Sequence, residues 1–197
     1  MILGITGGTG SGKTTLLDII RQHGGLVLDC DQIYHNLLEQ DGQLLAAICQ
    51  RFPTAFENGK LNRKKLGAIV FADSAALLEL NAVTHSAVRQ EVQRRLKNWQ
   101  GLAAIDAIAL MESGLGALCD LTVAVTAPLE VRVTRLMARD GITEEYARRR
   151  IAAQKSEEWF REKTSFVLEN NGSLDSFKRK CLAFLKTNGI ISSCDEI

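Results

Sequence analysis

Apolar residues enter this chain in short blocks, and the spacing of the blocks predicts most of its elements. Ile2–Thr6 (ILGIT) is too short and too apolar for a surface helix and reads as a buried strand. Residues 13–23 read as a helix, and LVLD at Leu26–Asp29 reads as a second strand beginning about twenty residues after the first. Strand, helix and strand at that distance form a parallel α/β unit. From 32 to about 71 the pattern is helical, interrupted by a loop at 53–60 (PTAFENGK). A long helix is predicted over 74–99, with Leu77, Leu78, Leu80, Val83, Val88 and Val92 at mixed spacings of three and four.

Two further strands are predicted at 102–110 (LAAIDAIAL) and 121–127 (LTVAVTA). Pro128 suits the first turn of a helix that runs to about 139. Residues 140–163 are strongly charged and helical in pattern, with few apolar anchors. A last short strand and turn (165–173, SFVLENNGS) and a closing helix (174–188) follow, leaving 189–197 as a loose end. Residues 32–99 read as an insertion between strands of one sheet.

Composition narrows the picture. At 197 residues, with 46% hydrophobic and 24% charged residues, the chain is expected to be one soluble globular domain. Its 24 Lys and Arg against 23 Asp and Glu give a net charge of +1, which argues against a general affinity for nucleic acid. No segment approaches the roughly 18 apolar residues of a membrane span, and the apolar start runs into a glycine loop rather than a signal sequence. Cys30, Cys49, Cys119, Cys181 and Cys194 are odd in number and contain no C-x-x-C pair. They predict reduced thiols in a cytoplasm, not a disulfide framework or a zinc site.

The chemistry is concentrated between the first strand and the first helix. Gly7-Gly8-Thr9-Gly10-Ser11-Gly12-Lys13-Thr14 satisfies G-x-x-x-x-G-K-[ST] in the strand–loop–helix setting that this motif needs. Backbone N–H groups can converge on a phosphate only where dihedrals are unusual and no side chain intrudes. The helix starting near Lys13 aims its positive end at the same anion. Gly8, Thr9, Gly10, Ser11, Gly12, Lys13, Thr14 and Thr15 are the expected nucleotide contacts. Lys13 reaches the β and γ phosphates, and the Thr14 hydroxyl is the expected ligand of a magnesium ion bridging them. The expected cofactors are therefore ATP and Mg2+.

The chain lacks an N-K-x-D guanine-reading motif and is short for a motor or transporter ATPase. A small phosphate-loop domain with a charged helical segment late in the chain fits the plan of nucleoside and nucleotide kinases, where that segment closes as a lid. Asp29 and Asp31 end the second strand, at the edge where open α/β sheets bind ligands. Asp31 is the expected general base toward an attacking hydroxyl, and it could also cap the helix from Gln32. Asp29 is left as support for the loop or the metal shell.

GITGGTGSGKTT, LVLDCDQI, LNRKKLGAIVF, NAVTHSAV, AIDAIALMESGL, CDLTVAVTAPLEVRVTRLMARDGIT, RRRIAAQ and LENNGS, in that order over residues 2–175, resemble dephospho-CoA kinases. The resemblance implies ATP-dependent phosphorylation of the ribose 3′-hydroxyl of dephospho-CoA. It also implies a three-layer P-loop kinase fold: a core over about 1–31, 100–139 and 164–190, a helical CoA-binding region over 32–99 and a lid over 140–163. Neither a protein partner nor a membrane is implied. Carried over residue by residue, Asp31 faces the accepting hydroxyl, Arg63, His85 and Glu112 belong to the substrate site, Arg139 stands at the lid entrance, and Arg150 and Gln154 lie within the lid. Simpler readings stand beside these: Arg63 as a solvated helix start, His85 as a core histidine, Glu112 as a structural carboxylate, and 148–150 as a solvated charged face. The chain departs from the family at Ser86 and Ile108, where proline is usual, and at Thr164-Ser165, where Ala-Asp is usual. Another small-molecule kinase, such as a nucleoside monophosphate kinase, is the alternative, and a nucleotide-binding protein without turnover the third reading.

Overall fold

A computed structural model describes residues 1–40 and 42–192. Five strands build the main sheet: β1 (Ile2–Thr6), β2 (Leu26–Asp29), β5 (Ala103–Asp106), β6 (Leu121–Thr126) and β7 (Phe166–Glu169), in the order β2-β5-β1-β6-β7. β1 lies at the centre, parallel to β5 (Ile5 opposite Asp106) and to β6 (Thr6 opposite Ala124). β7 extends the sheet in parallel beyond β6, with Thr126 opposite Glu169. Among the described residues the carboxyl ends of β1, β5, β6 and β7 thus share one edge, carrying Thr6, Asp106, Thr126 and Glu169.

The chain divides into two compact units, Met1–Leu28 with the residues from Trp99 onward, and Asp29–Asn98. In the first unit, α1 (Lys13–Gln22) and α9 (Leu174–Thr187) pack on one face of the sheet. Leu16, Leu17, Ile19 and Ile20 of α1 meet Phe177, Cys181, Phe184 and Leu185 of α9 over Leu3, Ile5, Ala104, Val123 and Val125. The opposite face of β1 carries Gly4, because a Cβ there would lie 2.7 Å from Cys119 Sγ and 2.8 Å from Leu110. Next to the sheet, α6 (Leu129–Asp140) and α7 (Glu144–Ala152) share a small core of Val133, Leu136, Ala147 and Ile151, and α8 (Glu157–Lys163) follows.

In the second unit α2 (Cys30–Gln40), α3 (Gly42–Arg51), α4 (Arg63–Ala72) and α5 (Ser74–Leu96) enclose Leu38, Leu44, Ile48, Phe52, Leu66 and Val70. The segment predicted as a loop contains a hairpin: β3 (Phe56–Glu57) pairs antiparallel with β4 (Lys60–Leu61). Asn58 and Gly59 both hold positive φ (49° and 75°), the geometry of a two-residue turn that follows the twist of its strands. The Asn62 side chain then accepts from Lys65 N at 3.1 Å and starts α4.

Several predicted boundaries shift. β5 stops at Asp106, and the apolar residues after it, Ala107 and Leu110, are buried in turns instead. The charged segment forms two helices, each begun by a side-chain cap, Thr143 to Tyr146 N and Ser156 to Trp159 N. Residues 189–192 are not loose: Ile190 N donates to Leu185 O at 2.8 Å and Ile191 is buried in the core. The rest of that expected loose end, 193–197, lies outside the described residues, as does Cys194. The other four cysteines are free thiols, and burial pushes Cys119 and Cys181 up to about 12. No helix among the described residues is long and apolar enough to cross a membrane.

Phe177 is 1% exposed in the main core. Phe177→Ala is expected to lower unfolding free energy by about 4 kcal/mol, read as a lower urea midpoint. In α5, Glu91 accepts from Arg94 (Nε 2.7 Å, Nη2 2.8 Å) and from Arg95 Nε (2.7 Å). These bonds, Arg94's foremost, hold its carboxyl down to about 2. A folded value below the unfolded one, near 4.3, stabilises above that value and is lost as pH falls toward 2. Glu91→Gln is therefore expected to be less stable than the parent at pH 7, with the gap closing between about pH 5 and 2 in urea titrations.

Candidate active site

The glycine loop is built by what surrounds it. Gly7 has φ 129°, and a Cβ there would meet the Val125 carbonyl oxygen at 2.2 Å. Gly12, the N-cap of α1, has φ 101°, and its Cβ would lie 2.3 Å from Asn170 Nδ2. Both positions exclude side chains by sterics and by dihedral.

The loop carbonyls are tied from outside. Thr9 O accepts from Arg132 Nε at 2.9 Å, Gly10 O from Arg135 Nη1 at 3.2 Å, and Ser11 O from Arg135 Nη1 (3.2 Å) and Asn170 Nδ2 (2.8 Å). In a trans peptide the carbonyl and the next N–H point opposite ways. Fixing the Thr9 and Ser11 carbonyls outward therefore turns the Gly10 and Gly12 amides inward, toward the mouth of α1. Ser11 N closes a turn on Gly8 O at 3.2 Å. Lys13 Nζ donates to Gly7 O at 2.9 Å, folding the lysine over the same concavity. Ser11 Oγ is buried with no hydrogen-bond partner among the described residues, a polar group left unsatisfied beside the loop.

Arg132, Arg135 and Asn170 were not among the expected site residues. The two arginines are three apart on α6, and Asn170 follows β7, where its N donates to Thr126 O at 2.8 Å. A run of Arg132, Arg135 and Arg139 along one helix was the available signal, and only Arg139 was singled out from it.

Arg139 pairs with its neighbour Asp140 through Nε (2.7 Å) and Nη2 (3.0 Å), and Arg150 Nη1 reaches the same carboxylate at 2.7 Å. These bonds, Arg139's foremost, hold the Asp140 carboxyl down to about 2. The run 148–150 is a paired face. Arg148 binds Glu130 and Glu144, and Arg149 lies 3.8 Å from Glu145 and over the Tyr146 ring. Thr164 Oγ1 donates to Phe160 O and Phe166 O, and Ser165 N to Thr122 Oγ1, so these departures close α8 and join β7 to β6.

In the other unit the cap of α2 is Asp29, whose Oδ1 accepts from Gln32 N at 2.9 Å. Asp31 does not cap: it lies within the first helical turn with its side chain exposed. Arg63 is exposed at the start of α4, and half-buried His85 lies in α5. Burial raises the Tyr34 hydroxyl pKa against the opposing field of the nearby Arg63 guanidinium. Glu112, in the first unit, is exposed in the turns after β5.

A parallel sheet whose central strand runs through such a loop into a helix defines the P-loop nucleotide-binding class. The Dephospho-CoA kinase family pattern matches residues 1–176. The dephospho-CoA kinase of Corynebacterium diphtheriae is 36% identical over 184 residues, 90% of this chain and 92% of that protein. That of Thermus thermophilus is 38% identical over 186 residues, 94% and 90%. A crystal structure of a Thermus thermophilus protein, 37% identical, superposes with a TM-score of 0.81 over 95% of this chain and 97% of the other. Shikimate kinase from Acinetobacter baumannii, at 16% identity and a TM-score of 0.57 over 96% and 95%, shares the fold alone. The chain belongs to the dephospho-CoA kinase family.

Gly7→Ala is expected to destabilise the protein by about 3 kcal/mol or more, since it combines a rare dihedral with a backbone clash. Thermal melts check this.

Proposed function

We infer that this chain is a dephospho-CoA kinase: it transfers the terminal phosphoryl group of ATP to the ribose 3′-hydroxyl of dephospho-CoA, giving CoA and ADP, the last step of coenzyme A biosynthesis. The observation that carries the reading is the glycine loop with its carbonyls tied by Arg132, Arg135 and Asn170, in a chain matched to that family over residues 1–176. Free thiols suit a reducing cytoplasm.

Residues Gly8 to Thr15 receive the phosphates. Lys13 exchanges the Gly7 carbonyl for a phosphate oxygen, a charged acceptor with a stronger hydrogen bond. Among the described residues no three His, Cys, Asp or Glu side chains cluster as a cation cage. A single hydroxyl beside a phosphate site suits magnesium, which needs few protein ligands beside water and phosphate. The exposed Thr14 hydroxyl would hold it, and when bound the ion neutralises charge on the phosphate oxygens.

Arg139 supplies a planar two-pronged donor, and a phosphate oxygen pair can replace the Asp140 carboxylate it now binds. Asp31 accepts the proton of the attacking hydroxyl, and its carboxylate is exposed because Asp29 does the capping. In the helical unit a groove of about 490 Å³ is lined by Leu38, Leu45, Phe56 and Leu61 with Arg63 among them. We assign it and His85 to the substrate, whose long arm is largely apolar and whose phosphates suit a guanidinium. Glu112 is assigned to the same substrate.

A coupled ADP-release assay with dephospho-CoA and a panel of nucleoside monophosphates tests the reading. Turnover confined to a monophosphate would overturn the substrate, and ATP binding without turnover on any acceptor would overturn the enzyme. Lys13→Ala and Asp31→Asn are each expected to cut kcat at least about 100-fold with unchanged melting temperature. An Asp31→Asn variant with near-parental kcat would remove that residue from the proton transfer.

A further inference from the structure

Thr9, the non-glycine residue between Gly8 and Gly10, is gripped on both sides of its backbone. Its N–H donates to Gln154 Oε1 at 2.9 Å, and its carbonyl accepts from Arg132 Nε at 2.9 Å. The ring closes because Arg132 Nη2 donates to the same Gln154 oxygen at 3.0 Å. Three residues from the loop, α6 and the link between α7 and α8 therefore form one hydrogen-bonded triangle.

The triangle is tight. A Cβ on Gly8 would fall 2.2 Å from Arg132 Nη2, so the guanidinium lies directly on the loop backbone. Burial pulls the pKa of the Arg132 guanidinium below its usual range, with Glu157 opposing that pull. Among the described residues Arg132 has no carboxylate within ion-pair distance, unlike Arg139, Arg148 and Arg150. A desolvated cation is costly unless its donors are well used, and here they are spent on Thr9 O and Gln154.

We propose that Arg132 and Gln154 act as a paired clasp on the Thr9 backbone, one on each of its two flanking peptides: positioning residues that set the inward Gly10 amide and tie the charged segment at 140–163 to the phosphate loop. The clasp rests on the reading of the loop as a phosphate site and deepens it. Arg132 holds the Thr9 carbonyl outward, which fixes where the next N–H points. Gln154 Oε1 accepts from both Thr9 N and Arg132 Nη2, so the charged segment, α6 and the loop meet at one acceptor and adjust together. An amide displaced from the phosphate by even part of an ångström loses transition-state stabilisation more than ground-state binding.

The test is steady-state kinetics on Arg132→Ala, Gln154→Ala, the double variant and Gln154→Glu, beside the parent, with melting temperatures for each. Each alanine variant is expected to lose about tenfold in kcat, with KM for dephospho-CoA within about twofold. The double variant is expected to fall no further than the worse single, because the two side chains are bonded to each other and close one ring on the Thr9 backbone. Gln154→Glu keeps both acceptor contacts, so its kcat stays near the parent while its new charge raises KM for ATP several-fold at low salt. Hydrogen exchange in residues 144–163 is expected to slow on MgATP binding in the parent and not in Arg132→Ala.

Folded alanine variants with kcat within twofold of the parent would overturn the clasp, as would independent, multiplying losses in the double variant. If Arg132→Ala fails to fold, the Gln154 pair decides: a Gln154→Glu as slow as Gln154→Ala also overturns it. A parent without turnover in the same assay would instead overturn the functional reading.

Discussion

The loop that makes this chain a phosphate binder is held open by bonds to its carbonyls. Peptide groups buried together satisfy one another where they can, and a loop with its own donors and acceptors in reach tends to close on itself. Here Arg132, Arg135 and Asn170 draw the Thr9, Gly10 and Ser11 oxygens outward. The amides left facing inward form a concave positive surface, to which the Lys13 ammonium adds its charge. Everything downstream depends on that arrangement: the direction of α1, the reach of Lys13, and the glycines that let neighbours approach so closely.

The core supports this from beneath. β1 is the middle strand, flanked on both sides in parallel, and its carboxyl end is paired on both sides where it enters the loop. α1 is sealed onto the sheet by Leu16, Leu17, Ile19 and Ile20 against α9. A loop strung between two such anchors has its ends fixed, so side-chain contacts from α6 and the β7 end are enough to fix its middle. The arginine population divides by role. Arg132 and Arg135 address backbone carbonyls, whereas Arg139, Arg148 and Arg150 address carboxylates at the protein surface.

Local signals in the sequence carried β1, the glycine loop and α1, because their strand period, motif and helix start involve neighbours in the chain. They failed where a fold decides between equally apolar alternatives. Ala107 and Leu110 are as buried as a strand would make them, yet they sit in turns after Asp106, and an apolar run alone does not separate the two outcomes. The Asn58-Gly59 pair was a readable hairpin signal inside a stretch taken for a loop. At the site, the motif offers Gly8 to Thr15 as candidates, and its place after β2 offers Asp31. Arg135 and Asn170 were not: the contact joins residues 35 apart through tertiary packing, and their partners on the loop are main-chain atoms that leave no trace in residue type. Asp29 took the capping that Asp31 was also eligible for, because the helix begins two residues earlier than expected.

Asp140 is shared between Arg139 and Arg150, one from its own helix and one from the next. A carboxylate with two cationic neighbours stays neutralised when either departs. One arginine can therefore swing away to another anion while the other remains as counter-ion, and no bare charge is exposed during the exchange. The node is built as a relay of partners, in which a guanidinium can exchange one anion for another while Asp140 keeps a counter-ion.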